Sequence, residues 1–165
     1  MRSLFVVAML SLSCSSQTKS VDAGAPPAQA PAVPAKLSET LDVTLLPADS
    51  FTVGKPIEFR MRVKNSTGKP QKFCTYHTLF EGLRNDLFLV KRTDGTVIDY
   101  RGMMAKRAPP GDDDFITLAP GEERVSKPVD LGEGYAFDSG AFTVMFPGSG
   151  ISELPASSPV IIVVK

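Results

Sequence analysis

Histidine, cysteine and tryptophan are scarce in this sequence, and neither sign of charge is in excess. Its 165 residues include one His, two Cys and no Trp, and 18 basic residues balance 18 acidic ones. A single His excludes a zinc site built on two histidines, and the HExxH motif is absent. Balanced charge gives no reason to expect nucleic acid as a partner. Because a Gly-x-Ser-x-Gly elbow and a Gly-rich phosphate loop are also absent, the sequence predicts a non-enzymatic protein without a cofactor.

The N-terminus is typical of a secretory signal. Arg2 precedes a mostly apolar run over residues 4–12, which is too short to span a bilayer because spanning takes about 20 apolar residues. The run ends in Leu-Ser-Leu-Ser-Cys14. This resembles the lipobox of bacterial lipoproteins, although that pattern favours an aliphatic residue at the place of Ser11. The resemblance implies a signal peptide over residues 1–13 and lipidation of Cys14. An ordinary signal peptide that is cut nearby is the alternative.

Alanine and proline dominate residues 14–36. The stretch includes four prolines and no aromatic residue, so it cannot bury enough apolar surface to offset the entropy of ordering it. We expect a disordered tether that holds a domain, residues 37–165, off a membrane. The expected location is the bacterial cell envelope, at the outer membrane or periplasm if the host is Gram-negative.

From residue 37 onward, short apolar runs alternate with turn residues. Residues 57–64 show the clearest period of two, with Ile57, Phe59, Met61 and Val63 on one face. Comparable runs occupy residues 41–45, 72–76, 87–92, 96–100, 115–118, 123–129, 141–146 and 159–165. This pattern predicts an all-β fold, an immunoglobulin-like antiparallel sandwich of two sheets with about seven to nine strands.

Two details of the sandwich are also predicted. The uniformly apolar run at residues 160–164 is typical of a strand that is buried on both faces. Residues 138–142 resemble the corner before a late strand of immunoglobulin-like domains. Phe142 stands there where that corner usually carries a tyrosine.

Cys74 and His77 are the candidates for a metal site. A thiolate and an imidazole at this spacing could bind copper or zinc, and Met61, Met103 or Met104 could add a thioether. Two ligands do not complete a structural site, which takes four. The preferred interpretation is a buried thiol beside a surface histidine, and we assign no metal. A copper-handling lipoprotein is the lowest-ranked hypothesis.

The longest segment without a strand pattern covers residues 103–114. It carries Lys106-Arg107 shortly before Pro109-Pro110, and a basic pair on a proline-stiffened loop could occupy the cleft of a protease. An ordinary solvated loop is the alternative. The three aspartates at its end lack the alternating spacing of a calcium loop and are typical of solvated chain.

An ordered series of segments resembles the N-terminal pro-region of secreted deuterolysin-type (aspzincin) metalloendopeptidases, the β-domain that precedes their catalytic domain. The series consists of residues 78–83, 86–90, 100–102, 106–110, 118–122 and 129–131, with Tyr135. The resemblance implies the pro-region fold and a role in occupying or chaperoning a zinc protease. The family's catalytic ligands cannot be assigned to any residue of this sequence, so it does not imply peptidase activity.

The leading hypothesis is a lipid-anchored, non-enzymatic envelope protein that binds a protein partner. The partner class that the resemblance implies is a secreted metalloendopeptidase, which the chain would inhibit. The inhibitory segment is expected at residues 103–110, with Lys106 or Arg107 in a specificity pocket and His77, Phe80 and Glu81 forming a second edge. The contacts of the segment would include Met103 and Met104. A structural or adhesive envelope module without a protease partner is the alternative, because one fold hosts many roles.

Overall fold

A computed structural model describes residues 41–165 of the chain. The predicted signal peptide, the lipidated Cys14 and the tether lie outside the described residues. The described part forms nine strands, joined by turns and two short 3₁₀ segments, Asp112–Asp114 and Leu131–Glu133. The strands are β1 Asp42–Pro47, β2 Glu58–Lys64, β3 Gln71–Cys74, β4 Leu89–Arg92, β5 Phe115–Leu118, β6 Glu123–Val125, β7 Val129–Asp130, β8 Gly140–Met145 and β9 Val160–Val164. None of the helical segments in this range is long and apolar enough to cross a membrane.

The predicted all-β antiparallel fold is confirmed, and its ladders fall into three sheets. β2 lies at the centre of the first sheet and pairs with β1, β6 and β7. β3 and β5 form a two-stranded sheet. The third sheet has the order β4–β8–β9. The predicted strand at residues 96–100 is reduced to a single bridge between Lys91 and Val97, which closes the turn after β4.

The core follows the alternation of β2. Phe59, Met61 and Val63 are fully buried, and Ile57 is nearly so, as the period of two predicts. Phe142 and Val144 of β8 are buried from the opposite sheet. Burying each such side chain contributes about 1.5–3 kcal/mol relative to leaving it exposed. The inward face of these alternating strands therefore accounts for much of what holds the domain together.

The prediction that residues 160–164 are buried on both faces is wrong. Ile162 and Val164 point into the core, but Ile161 is 72% exposed and Val163 is 52% exposed. Within the described residues, the ladder of β9 pairs with β8, and on the other side of the strand Val164 forms a single bridge with Phe51. Ile161 and Val163 lie on the outer face of this sheet, and no other layer of the described residues covers that face.

A buried tyrosine hydroxyl does link separate segments of this domain. It belongs to Tyr135, whereas the position of the usual corner tyrosine is held by Phe142. The Tyr135 hydroxyl donates to Asp86 Oδ1 at 2.7 Å and accepts from the backbone N–H of Leu87 and Phe88. Phe142 is a core residue that packs edge-on against Phe137 at 5.1 Å. Burial, followed by the hydrogen bond to Asp86, raises the pKa of Tyr135 far above its ordinary value.

The two ends of β2 define two ends of the domain. Lys64, the last residue of β2, pairs with Asp42 at the start of the described chain. Glu58, the first residue of β2, pairs with Asp130. A strand rises by about 3.3 Å per residue, so the seven residues of β2 separate the ends by roughly 20 Å. We call the end near Lys64 the proximal end and the end near Glu58 the distal end.

Candidate functional site

The two segments singled out in the sequence meet at the distal end. Arg107 Nη2 and Glu81 Oε2 form an ion pair at 2.7 Å. A backbone hydrogen bond also joins the two segments near their ends. Thr75, directly after β3, donates its N–H to the carbonyl of Asp114, directly before β5. Residues 75–81, called here the distal turn, and residues 101–111, called here the distal loop, therefore form one surface.

Glu81 organises the distal turn as well as the loop. Its Oε1 accepts the backbone N–H of His77 at 2.8 Å, while its Oε2 accepts from Arg107. His77 adopts a positive φ of 56°, a conformation that few non-glycine residues take. Thr78 Oγ1 donates to the carbonyl of Thr75 and accepts the N–H of Phe80. The Glu81 side chain is only 7% exposed, so this carboxylate is a buried hydrogen-bond acceptor that links the distal turn to the distal loop.

Arg107 is held against the domain instead of projecting from it. Besides its ion pair with Glu81, its guanidinium lies 5.3 Å from the ring centroid of Tyr76, a cation–π geometry. Hydrogen bonding to Asp114 is the main cause of a raised pKa at the Tyr76 hydroxyl, followed by desolvation. The sequence analysis offered Lys106 and Arg107 as equal candidates for a specificity pocket. The structure distinguishes them, because only Lys106 lacks such internal contacts within the described residues.

Hydrogen bonds fix the main chain of the first half of the distal loop, residues 101–105. Arg101 N–H donates to the carbonyl of Gly134 at 2.8 Å, and Ala105 N–H donates to the carbonyl of Arg84 at 2.8 Å. Between them, the Tyr100 hydroxyl donates to the carbonyl of Met103 at 2.7 Å. A loop fixed at such short intervals has few backbone conformations left to lose.

Gly134 is required for this arrangement. The Tyr100 ring packs directly over it, and a Cβ at position 134 would lie 2.2 Å from Cε2 of Tyr100. No side chain can occupy that space. The absence of a side chain lets Tyr100 lie close enough to the domain to reach Met103.

The side chains of the distal loop point outward while its backbone is fixed. Met103 is 60% exposed and Met104 is 68% exposed. Lys106, Ala108, Pro109 and Pro110 are exposed as well. Met103 also lines one side of a surface groove of about 350 Å³, whose other walls come from residues 81–84, 128–130 and 133. The result is a mixed apolar and basic surface of fixed shape.

Phe80 and His77, the other predicted residues of this site, lie partly inside the domain. Phe80 is half-buried and packs edge-on against the Phe73 ring at 5.2 Å, so it supports the turn from beneath. His77 is half-buried. Sequence reasoning missed Tyr76, Tyr100 and Arg84, because each contributes through a contact that only the folded chain creates.

The described residues bring together no cluster of three or more His, Cys, Asp or Glu side chains suited to a metal ion. Cys74 is fully buried at the end of β3, and its backbone N–H donates to the carbonyl of Ser152. Met103 and Met104, the thioethers considered for copper, lie on the exposed loop. Asp112–Asp114 form one 3₁₀ turn, in which Asp114 Oδ2 accepts the N–H of Gly111.

Neither a family model nor a curated protein matches the chain. The similarity to the pro-region of deuterolysin-type endopeptidases therefore stays a prediction.

Proposed function

We propose that this chain is a non-enzymatic, lipid-anchored envelope protein that binds a protein partner through the distal loop. The observation that carries the proposal is the contrast within that loop. Its backbone is fixed by bonds to Gly134 and Arg84 and by the Arg107–Glu81 ion pair, whereas Met103 and Met104 remain more than half exposed.

This contrast favours binding for two physical reasons. Ordering a flexible loop on association costs free energy, so a loop that is already ordered retains more of its contact energy as affinity. Methionine adapts its shape to a partner and is enriched, like arginine, at protein interfaces. Exposed apolar side chains that cluster on one surface are typical of interaction sites in soluble domains.

The position of the loop fits an anchored binding protein. Leu41, where the described chain begins, lies at the proximal end, and Met103 lies beside Asp130 at the distal end. A tether that joins the domain at Leu41 would leave the distal loop free to meet proteins rather than lipid. In this arrangement the domain is attached to the membrane through the predicted anchor at Cys14.

A secreted metalloendopeptidase is the partner class that the sequence resemblance suggests. Lys106 is then the side chain we assign to a specificity pocket, because Arg107 is already engaged by Glu81 and Tyr76. Arg107 would act as a positioning residue that holds the loop in its binding shape. The alternative, an adhesive or structural envelope module, predicts binding to envelope proteins without any effect on proteolysis.

The combined substitution Met103→Ala, Met104→Ala and Lys106→Ala is expected to weaken partner binding at least tenfold, since interface anchors typically contribute 1–2 kcal/mol or more each. The partner would be isolated from envelope and secreted fractions with the tagged chain and then titrated against purified variants. Val97→Ala with Lys69→Ala is the matched control, because both side chains are exposed and Lys69 lies at the proximal end. Unchanged affinity in the loop variant, with thermal stability retained, would contradict the assignment.

The same titration separates the two partner classes. Hydrolysis by an isolated metalloprotease that falls as the chain is added would support inhibition, and Arg107→Ala should then weaken inhibition less than Lys106→Ala. Recovery of envelope proteins alone, with no change in secreted proteolysis, would favour the adhesive module.

A further inference from the structure

Lys106 stands between two residues that are tied to the same short segment of the chain. On one side, the N–H of Ala105 donates to the carbonyl of Arg84 at 2.8 Å. On the other side, the guanidinium of Arg107 pairs with the carboxylate of Glu81 at 2.7 Å. The end of the distal turn and the residues just after it therefore hold both neighbours of Lys106, and the chain is fixed on either side of it.

The two adjacent basic side chains of the distal loop differ in what they can reach. Lys106 is exposed, and its ammonium forms no hydrogen bond or ion pair with any of residues 41–165. Arg107 is paired with Glu81, and its guanidinium lies 5.3 Å from the ring centroid of Tyr76. Only Lys106 is therefore free to enter a pocket of another protein, while Arg107 stays bound to its own domain.

The main chain around Lys106 follows an extended path. Residues 103–111 contain no helix, strand, turn or bend, and none of them has a positive φ. Pro109 and Pro110 each hold φ near about −65° and keep the residue before them out of the helical region. Extended peptides are the form that binding clefts accept along a strand edge. The loop therefore already has the backbone shape that a protease cleft binds.

The chemistry of the free side chain specifies the pocket that fits it. A lysine ammonium at the end of an apolar stem requires an apolar channel that ends in a carboxylate, because a cation removed from water must be paired. Endopeptidases that cleave after basic residues have such a pocket, with an aspartate at its base. Lys106 on an extended, supported loop therefore has the features of a residue bound on the acyl side of a scissile peptide bond.

We propose that the distal loop inhibits a serine endopeptidase specific for basic residues, by binding as a substrate whose peptide bond between Lys106 and Arg107 is cut and re-formed. The inference rests on the proposed function, since it takes the distal loop as the binding surface, and it names the class of partner. That class differs from the metalloendopeptidase that the sequence resemblance suggests. The contacts of Arg107 are what favour a serine enzyme.

The internal contacts of Arg107 explain why such a substrate inhibits. The serine oxygen of the enzyme attacks the carbonyl carbon of Lys106, and the serine proton passes through the histidine to the departing amine of Arg107. Lys106 is then esterified to the enzyme. Because Arg107 stays bound to Glu81 and Tyr76, its amine remains beside the ester, re-forms the peptide bond and returns the proton to the serine.

A retained amine has this effect only where an acyl-enzyme forms. In a metalloendopeptidase the activated water attacks the peptide bond directly, so no ester waits for the amine to return. The ion pair between Arg107 and Glu81 therefore matches the chemistry of a serine enzyme better than that of a metal enzyme. Arg107 is a positioning residue in this step, and Lys106 is the residue that the enzyme binds.

The test titrates trypsin with the full-length chain and follows hydrolysis of a small chromogenic substrate. We expect inhibition by the unmodified chain and roughly hundredfold weaker inhibition by Lys106→Leu, because an anchor residue of the interface is lost. The same variant should gain inhibition of chymotrypsin, whose specificity pocket is apolar. Lys69→Leu is the matched control, an exposed lysine at the proximal end, and should inhibit trypsin as the unmodified chain does.

Glu81→Gln and Arg107→Ala test the positioning role separately. Each releases residue 107 from its ion pair, so the amine can leave after cleavage. We expect trypsin to cut both variants between residues 106 and 107 roughly tenfold faster than the unmodified chain, as followed by mass spectrometry. Equal cleavage of the three chains would overturn the re-forming step. Near-ultraviolet circular dichroism checks that each variant is folded.

Failure of this inference can be told apart from failure of the proposed function. A folded, unmodified chain that leaves trypsin fully active would overturn the inference. If an isolated metalloendopeptidase were nevertheless inhibited in a manner that depends on Lys106, the distal loop would remain the binding surface and only the serine class would be wrong. Inhibition of trypsin that is the same in Lys106→Leu and the unmodified chain would overturn the assignment of Lys106.

Discussion

Replacing Tyr135 by Phe is expected to lower the free energy of unfolding by about 2–4 kcal/mol, because buried groups that lose their only partner cost roughly 1–3 kcal/mol each. The substitution keeps the ring and removes the hydroxyl. That hydroxyl donates to Asp86 at 2.7 Å and accepts the N–H groups of Leu87 and Phe88 at 3.1 and 2.8 Å. Tyr135, Leu87 and Phe88 are buried, so water cannot replace the hydroxyl as the acceptor of these two N–H groups, although it can solvate the exposed Asp86.

The effect is measured by urea unfolding, with Tyr100→Phe as the control. Tyr100→Phe also removes one hydrogen bond, from the hydroxyl to the carbonyl of Met103. Because Tyr100 is more exposed, we expect its loss to lower the free energy of unfolding by only about 0.5–1.5 kcal/mol. Equal losses in the two variants would show that the Tyr135 hydroxyl stabilises the domain no more than a surface hydrogen bond. Folding would then depend on ring packing alone.

The raised pKa of the Tyr135 hydroxyl predicts how the free energy of unfolding changes at alkaline pH. The pKa of Tyr135 is raised far above the ordinary 10.0, first by burial and then by the bond to Asp86. The unfolded chain releases this proton near pH 10, whereas the folded chain keeps it. The contribution is therefore complete below pH 10 and declines as the pH rises further. Stability measured between pH 8 and 11 should fall more steeply in the unmodified chain than in Tyr135→Phe. Parallel curves would contradict the raised pKa.

The strand prediction succeeded where a strand is half-buried. In β2 the alternation of Phe59, Met61 and Val63 with charged residues is set by the two faces of the sheet, so the sequence itself records burial. The sequence of β9 shows no such alternation, because all five of its residues are apolar. Whether Ile161 is covered depends on whether another layer packs on that face of the sheet, and that is a property of the tertiary fold, not of local sequence.

Local sequence singled out the two segments of the distal surface but not the contact that joins them. The irregular stretch at 103–114 and the turn at 77–81 were both singled out, yet nothing in their residues indicates that Glu81 binds Arg107 across 26 positions. Tyr135 was missed for the same reason, since its partner Asp86 lies 49 residues away. A polar side chain that will be buried looks, in sequence, like one that will be solvated.

Asn65 is a second buried polar group whose importance the sequence does not reveal. It is fully buried at the proximal end of β2. Its Nδ2 donates to the carbonyls of Lys69 and Leu118 at 2.8 and 2.9 Å, and its Oδ1 accepts from the N–H and hydroxyl of Thr67. Leu118 ends β5, so this amide joins the β3–β5 sheet to the first sheet.

Asn65→Ala is expected to lower the free energy of unfolding by about 3 kcal/mol, since the buried Leu118 carbonyl is left without this donor and the turn at 65–69 loses its link. The matched control is Asn85→Ala. Asn85 is also buried, at 4% exposure, but its Nδ2 has no hydrogen-bond partner among residues 41–165. Chemical denaturation of both variants should give a much smaller loss for Asn85. A similar loss would mean that packing around the two amides, and not the bonds of Asn65, joins the sheets. The candidate site is connected to this joint, because the distal turn follows directly from β3 and the distal loop leads through the Asp112–Asp114 turn into β5.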